Sequence, residues 1–424
     1  MQIIPLAPGV SGVYIPTERF KTSVISVNMF LPIMPGKTSR MAILPSLLRR
    51  ACKAYPTMQL LGRQLDALYG TPLMAECDKI GDVIALRLSV SVIEDKYALQ
   101  GEPLLEQAAE LLEQLIFEPL AENGGFNREI FAGEQRMLIE LIESEINNKR
   151  AYAINRLCER ICEDEPFGAP CYGTVEEARA LTPELVYESY EHVLKNAYFR
   201  INVVGAAAPD AVFSRFAARL CALDRADIAV PQSLPTQAGG AIETSEKMAI
   251  TQGKLVMGFT APFGDSFAAT AIMADIFGGG PYSRLFNHVR ERLSLCYYCA
   301  CRPNRRKGLM LVDSGVLLEN VQCAKEEILR QLDVMKAGEF TDEELAASRQ
   351  GYRTVLLSAL DSQAAIDRYY ADRVFDSEII TIEQYADMVS AVTREEVTAA
   401  AKGVELKGIF LLEPTLKAGE GEDE

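Results

Sequence analysis

The apolar positions of this chain fall into one order of patterns, and that order occurs twice. Val24–Leu31 and Lys254–Thr260 are short runs rich in apolar residues, of the kind that fill a buried strand. Each leads into a stretch with helical spacing of its apolar residues, Ser39–Ala54 and Asp265–Phe277, and then into a shorter one, Thr57–Tyr69 and Ser283–Arg292. Two strands come next in both halves, Leu73–Lys79 with Val83–Val92 and Tyr298–Pro303 with Leu309–Val316, joined by tight polar or glycine-containing turns. A long helix closes each series, Pro103–Phe117 and Asn320–Lys336.

The later parts of the halves match as well. Gly124-Gly125-Phe126-Asn127 opens a long helical region as Gly338-Glu339-Phe340-Thr341 does, and Thr341 with Glu344 has the spacing of a capping box. Thr182 followed by Pro183, and Thr393 followed by Glu396 three residues on, start the penultimate helices. The interval from Asn127 to Thr341 nearly equals that from Thr182 to Thr393, which favours duplication of one unit. Strands and helices segregate within each half, so the expected class is α+β: two homologous domains, each an antiparallel sheet with helices packed on one face. The expected domains are 1–215 and 246–417, with a Pro-, Gly- and polar-rich linker over 216–245 and a disordered acidic tail over 418–424.

Composition narrows the partners. With 49% hydrophobic and 24% charged residues the chain has the means to bury real cores. Its 43 basic residues against 59 acidic ones give a net charge of −16, which repels phosphate backbones and anionic lipid surfaces. Nucleic acid and membranes are therefore not expected partners, whereas basic or neutral peptides are tolerated. No apolar run reaches the ~18–20 residues that span a bilayer, and Met1-Gln2-Ile3-Ile4-Pro5 lacks the basic and apolar regions of a signal peptide, so the expected location is cytoplasmic. The 10 cysteines are scattered, which suits reduced and mostly buried thiols.

One segment carries candidate chemistry: Gly278-Gly279-Gly280-Pro281-Tyr282-Ser283-Arg284-Leu285-Phe286, followed by Arg290-Glu291-Arg292-Leu293-Ser294-Leu295-Cys296-Tyr297. It is no phosphate loop, because it follows a helix and lacks the Gly-Lys-Ser/Thr ending. Three glycines let the chain reverse and let another backbone approach closely. A guanidinium fork and a phenol can hydrogen-bond peptide carbonyls and a tetrahedral oxyanion. The bland alternative pairs Arg290 with Glu291 or Glu319 and leaves Tyr297 half-buried on a sheet. Taken together, the glycine turn and the Arg-to-Tyr spacing resemble the C-terminal domain signature of the M16 (insulinase-like, pitrilysin) zinc peptidases. The resemblance covers essentially the full chain. It implies that Arg290 and Tyr297 bind substrate and that Gly278, Gly279 and Gly280 border the peptide chamber. Two departures stand out: Ser294 occupies a position usually glycine, and Tyr298 is a second candidate aromatic.

The same resemblance implies a His-x-x-Glu-His helix in the first half, where two imidazoles and a later carboxylate hold zinc and the central glutamate is the general base. Aligned on that helix, Ala42 and Ser46 fall at the histidine positions and Pro45 at the glutamate. None can do the job, and the only histidines are His192 and His288. Pro45 also disfavours a helix interior, so a kink or a late helix start is expected. The third ligand position is assigned to Glu140 as a vestige, with no metal. The groups Cys158/Cys162 and Cys296/Cys299/Cys301 read as buried structural cysteines, Cys299 and Cys301 sharing one strand face.

The leading expectation is a non-catalytic subunit that binds peptide or unfolded protein and pairs with a homologous M16 chain carrying the zinc motif, or with a second copy of itself. That partner brings zinc and base while this chain brings Arg290 and Tyr297. The alternative is a pseudo-peptidase that binds or scaffolds without any proteolytic role. A stand-alone hydrolase has least support, since no Ser or Cys has a recognisable catalytic setting.

Overall fold

The computed structural model describes residues 1–225, 228–264 and 267–415. The expected helix start at Asp265 and the tail over 418–424 lie outside the described residues. The strands of the first half are β1 (Gln2–Ala7), β2 (Val10–Pro16), β3 (Thr22–Pro32), β4 (Leu73–Ile80), β5 (Val83–Ile93), a small hairpin of β6 (Ala121–Glu122) and β7 (Gly125–Phe126), and β8 (Tyr198–Gly205). The second half adds β9 (Ile242–Met248), β10 (Gly253–Thr260), β11 (Cys296–Asn304), β12 (Leu309–Val316) and β13 (Glu405–Pro414).

Two large sheets result, ordered β1-β2-β8-β3-β5-β4 and β11-β12-β10-β13-β9. With β1 set aside, the second order is the first read backwards: β4, β5, β3, β8 and β2 correspond to β11, β12, β10, β13 and β9. The duplicated α+β architecture is therefore present. Each sheet is mixed, antiparallel except for one pair, β2 with β8 and β13 with β9.

The compact units do not follow a single cut in the chain. One comprises Met1–Glu143, Ala169–Gln232 and Ala359–Ile379; the other comprises Ser144–Gly168, Ser233–Ser358 and the chain from Ile380 on. This differs from the expected 1–215 and 246–417. The helix Lys149–Ile161 belongs to the second unit, and the helix Gln363–Asp372 belongs to the first. The expected linker over 216–245 also shrinks at both ends, because the helix Asp210–Cys221 and β9 occupy its flanks.

Strand parity gives the reason. In β3, Ile25, Val27, Met29 and Leu31 enter an apolar core with Leu104, Ala108, Leu111 and Leu115 of the helix Leu104–Phe117. The alternate residues Ser26 and Asn28 are buried too, on the face where the helix Gln363–Asp372 packs over β3 and β8. In the second unit, Val256, Leu309, Leu311, Phe410 and Leu412 pack against Ala153, Leu157 and Ile161 of the helix Lys149–Ile161. Gly258 and Gly408 are cross-strand partners there, and a Cβ on them would lie 3.0 Å and 2.5 Å from Ile161. The absence of side chains makes the slot that this helix fills. In the first unit, helices thus lie on both faces of the sheet, Leu104–Phe117 on one and Gln363–Asp372 on the other.

Among the described residues no helix is long and apolar enough to cross a membrane. All of the cysteines are free.

Candidate functional site

Two helices, Thr38–Ala42 and Leu44–Arg50, stand where one was expected over 39–54. Pro45 lies in the first turn of the second helix, where its missing N–H removes the ladder bond to the Met41 carbonyl. Bonds from Ile43 N to Ser39 O (3.2 Å) and Leu47 N to Ile43 O (3.1 Å) carry the helical path across the gap.

Ala42, Pro45 and Ser46 line a cleft of about 400 Å³ together with Arg49, Arg50, Glu134, Met137, Leu138, Leu141 and Tyr172. The helix Arg128–Ser144 presents Glu134, Met137, Leu138 and Leu141 at the spacing of one helical face. Glu140 lies off that face and is exposed. The vestigial ligand position at Glu140 is thereby corrected: the carboxylate this helix brings to the cleft is Glu134, buried and ion-paired with Arg50. Glu76 and Asp78, from β4, also border the cleft and pair with Arg368 at 3.2 and 2.5 Å. Burial, then the nearby Cys171, Cys77, Asp78 and Glu76, pushes the Tyr172 phenol up to about 12.

This donor set does not fit zinc. A methyl, a pyrrolidine and a hydroxyl face the cleft, no imidazole does, and the bordering carboxylates are neutralised by guanidinium groups. Among the described residues no group of three or more His, Cys, Asp or Glu is placed to hold a metal. His192 bonds Asn196 at 3.0 Å and lies outside this cleft. His288 belongs to the π-helical segment Phe286–Arg292, where burial and the neighbouring Arg284 and Arg292 push its pKa down.

In the second unit Arg290 and Tyr297 line one cleft of about 350 Å³, with Glu291, Ser294, Leu295, Cys296, Leu317 and Asn320. Three backbone features build it. The segment Phe286–Arg292 is wound as a π-helix, a form concentrated at functional sites. Ser294 then takes φ +50°, in the left-handed region that favours glycine, which explains the departure noted at this position. Finally the register jumps between Cys296, opposite Val316, and Tyr298, opposite Gly315, so Tyr297 is the extra residue of a bulge. It is 62% exposed.

The two tyrosines have different surroundings. Tyr298 turns to the other side, its ring 4.4 Å beneath the Arg150 guanidinium and its buried hydroxyl without a hydrogen-bond partner. Burial, then Asp313, pushes its phenol up to about 12. Tyr297 is therefore the aromatic that shares a cleft with Arg290. Arg290 stacks over Phe286 at 4.6 Å and approaches Glu291 at 3.6 Å, both ends half-exposed.

The glycine run serves packing. A Cβ on Gly278 would stand 2.6 Å from Cys301 Cβ and 2.7 Å from Cys301 N, so only glycine lets the helix Phe267–Gly278 end against β11. Gly279 and Gly280 continue the turn, and none of the three lines the Arg290 cleft. Arg284, from the same motif, is buried and holds Gln331 and both oxygens of Glu344, each at 2.9 Å. These contacts anchor the turn to the helices behind it.

Residues 180–352 match the family model described as the Peptidase M16 inactive domain. The "Probable inactive metalloprotease YmfF" of Bacillus subtilis (strain 168) is 27% identical over 410 residues, 96% of each chain. Among solved structures, a conserved protein from Enterococcus faecalis V583 superposes with a TM-score of 0.90 at 26% identity, covering 99% of both chains. A peptidase M16 inactive domain from Pseudomonas fluorescens shares the fold, with a TM-score of 0.78 at 16% identity over 98% of each chain. Over residues 180–352, and by likeness over nearly its full length, the chain resembles the M16 peptidases, in particular proteins described as inactive.

Proposed function

We propose that this chain is the substrate-binding, non-catalytic subunit of a two-chain M16 peptidase. Arg290 and Tyr297 hold the peptide, while a homologous chain with an intact His-x-x-Glu-His helix supplies zinc and general base. The observation that supports this reading is the contrast between the two clefts. At the first, the catalytic positions are filled by inert side chains and the residual carboxylate is neutralised by Arg50. At the second, a guanidinium and a phenol remain open to solvent on a left-handed Ser294 and a bulge, features that a purely structural segment does not need.

Chemically, the Arg290 fork donates to a peptide carbonyl or to the oxyanion formed when the partner's nucleophile adds, and the Tyr297 hydroxyl donates beside it. Co-expression with a homologue bearing the zinc motif, followed by cleavage of a fluorogenic peptide library, tests the proposal. Loss of an oxyanion donor lowers turnover by roughly 100- to 1000-fold, so Arg290→Ala and Tyr297→Phe should do so without dissolving the complex. Cleavage within about twofold of wild type in both variants makes the pair structural, since exposed ion pairs are worth under ~1 kcal/mol. Peptide binding that depends on Arg290, with no cleavage in any pairing, supports the binding-only alternative.

A further inference from the structure

Cys296 and Cys299 are three apart on β11, a spacing that puts side chains on opposite faces of a regular strand. The bulge at Tyr297 undoes that. Cys296 lies opposite Val316, Cys299 opposite Ser314 and Cys301 opposite Val312, and these three partners alternate along one face of β12. All three cysteines therefore share a face. Cys296 and Cys299 are the adjacent pair on that face, each perturbing the other's titration. Cys296 is half-buried and lines the Arg290 cleft, while Cys299 sits behind it, buried.

We propose that Cys296 and Cys299 form a redox-responsive dithiol at the edge of the Arg290/Tyr297 cleft, oxidised by hydroperoxides to a disulfide that displaces Tyr297. The Cys296 thiolate attacks the distal oxygen of hydrogen peroxide; an S–O bond forms, the O–O bond breaks, and hydroxide leaves. Cys299 then attacks the sulfenic sulfur, the S–O bond breaks, and water departs with the Cys299 proton. Two thiols are oxidised and one peroxide is reduced to water. Tyr297 and Tyr298 are the two residues spanned, so the geometry that the bridge imposes acts directly on the bulge that carries Tyr297 at the cleft, and we take it to move that residue. The consequence for peptide binding rests on the function proposed above; the thiol chemistry does not.

Electrostatics favour Cys296 as the attacking group. The Cys299 thiol donating to it, then Ser314 and the Arg290 charge, outweigh its burial and bring it down to about 7. Cys299 itself is pushed well up by that same bond and by burial. A thiol titrating near 7 is about half thiolate at neutral pH, against a few per cent for an ordinary one. Lower intrinsic nucleophilicity offsets part of the gain, leaving roughly a fivefold advantage.

The full-length chain is treated with stoichiometric hydrogen peroxide, alkylated and mapped by peptide mass, with Cys221 and Cys323 as exposed internal references. In the reduced protein Cys296 should alkylate about fivefold faster than either reference at pH 7. Peroxide should remove two hydrogens and protect Cys296 and Cys299 together until dithiothreitol is added. Cys299→Ser, or Cys299→Ala should the serine destabilise this buried site, should halt at a sulfenic acid captured by dimedone, and Cys296→Ser should give neither product. Amide exchange over 290–298 should change on oxidation, a readout that needs no peptide. Cys296 reacting no faster than Cys221 and Cys323, or peroxide leaving the pair alkylatable, overturns the dithiol. A disulfide that leaves exchange over 290–298 unchanged overturns the displacement of Tyr297. A reduced chain that binds no peptide, yet forms the bridge and shifts exchange, counts against the proposed function and leaves this inference standing.

Discussion

Asp367 provides the sharpest energetic test of how the first unit is assembled. Its carboxylate is fully buried; it accepts from Ser26 Oγ at 2.8 Å and Asn202 Nδ2 at 2.7 Å, and it pairs with Arg87. The Arg87 side chain is only 8% exposed, and its other carboxylate neighbour, Glu76, is 3.8 Å away and 41% exposed. Asp367→Ala therefore strands a buried guanidinium together with a buried hydroxyl and amide. Removing one member of a buried pair costs about 3–5 kcal/mol, and the orphaned hydrogen-bond partners are part of that loss rather than an addition to it. Replacing both charges, as in Asp367→Ala with Arg87→Leu, should recover much of it, because a buried pair and an apolar substitute are often near parity. Urea unfolding followed by circular dichroism gives the values. Asp367→Ala within about 1 kcal/mol of wild type, or a double variant no more stable than the single one, would refute the assignment of the Gln363–Asp372 helix to this sheet. The same reasoning predicts that a fragment covering 1–215 alone does not form a stable fold, since Ser26, Asn28, Arg87 and Asn202 would be left uncovered.

Two further outcomes are expected. Chelator-free protein should contain no stoichiometric zinc, and Ala42→His with Pro45→Glu and Ser46→His should still bind none, because Glu140 faces away and Glu134 is held by Arg50; adding Leu141→Glu on the cleft face should complete a three-ligand site. Metal analysis decides this, and zinc that disappears on mutating Glu140 would show that the helix face is misassigned. Ser294→Gly should stabilise the chain by about 0.5–1 kcal/mol, the relief of left-handed strain less the entropy glycine brings to the unfolded chain. A lower urea midpoint for that variant would count against the strain.

How much of this was legible in the sequence depended on where each residue's partners lie. β3, β5, β10 and β12 stand out because they are apolar along most of their length. β9, Ile242-Glu243-Thr244-Ser245-Glu246-Lys247-Met248, straddles the end of the expected linker and was hidden because it is an edge strand with alternating exposure and few apolar residues. The exchange of the helices Lys149–Ile161 and Gln363–Asp372 is invisible to periodicity, which reports that a face is apolar but not which sheet covers it. At the first cleft, Glu134 and Glu140 sit on one helix, and spacing alone does not choose between them; the Arg50 pairing does. At the second, the oddity of Ser294 and the doubled Tyr297-Tyr298 were both visible, and alternation along a strand already sets the tyrosines on opposite sides, but only the structure shows that Tyr297 is the one that lines the Arg290 cleft.

The two clefts also differ in how their charged groups are held. Loss of zinc alone would leave a buried carboxylate facing empty space, an arrangement that either shifts its protonation or destabilises the helix. Here Arg50, one turn past Ser46, neutralises Glu134, so the carboxylate at the first cleft is tied into the structure. Arg290 and Tyr297 are not tied in this way. Their side chains make only exposed contacts worth little to folding, yet the backbone beneath them keeps a non-glycine residue in the left-handed region and an interrupted strand register. Strain held under solvent-facing polar groups is the pattern expected where those groups are used by something that binds them, and that is the physical case for testing this face first.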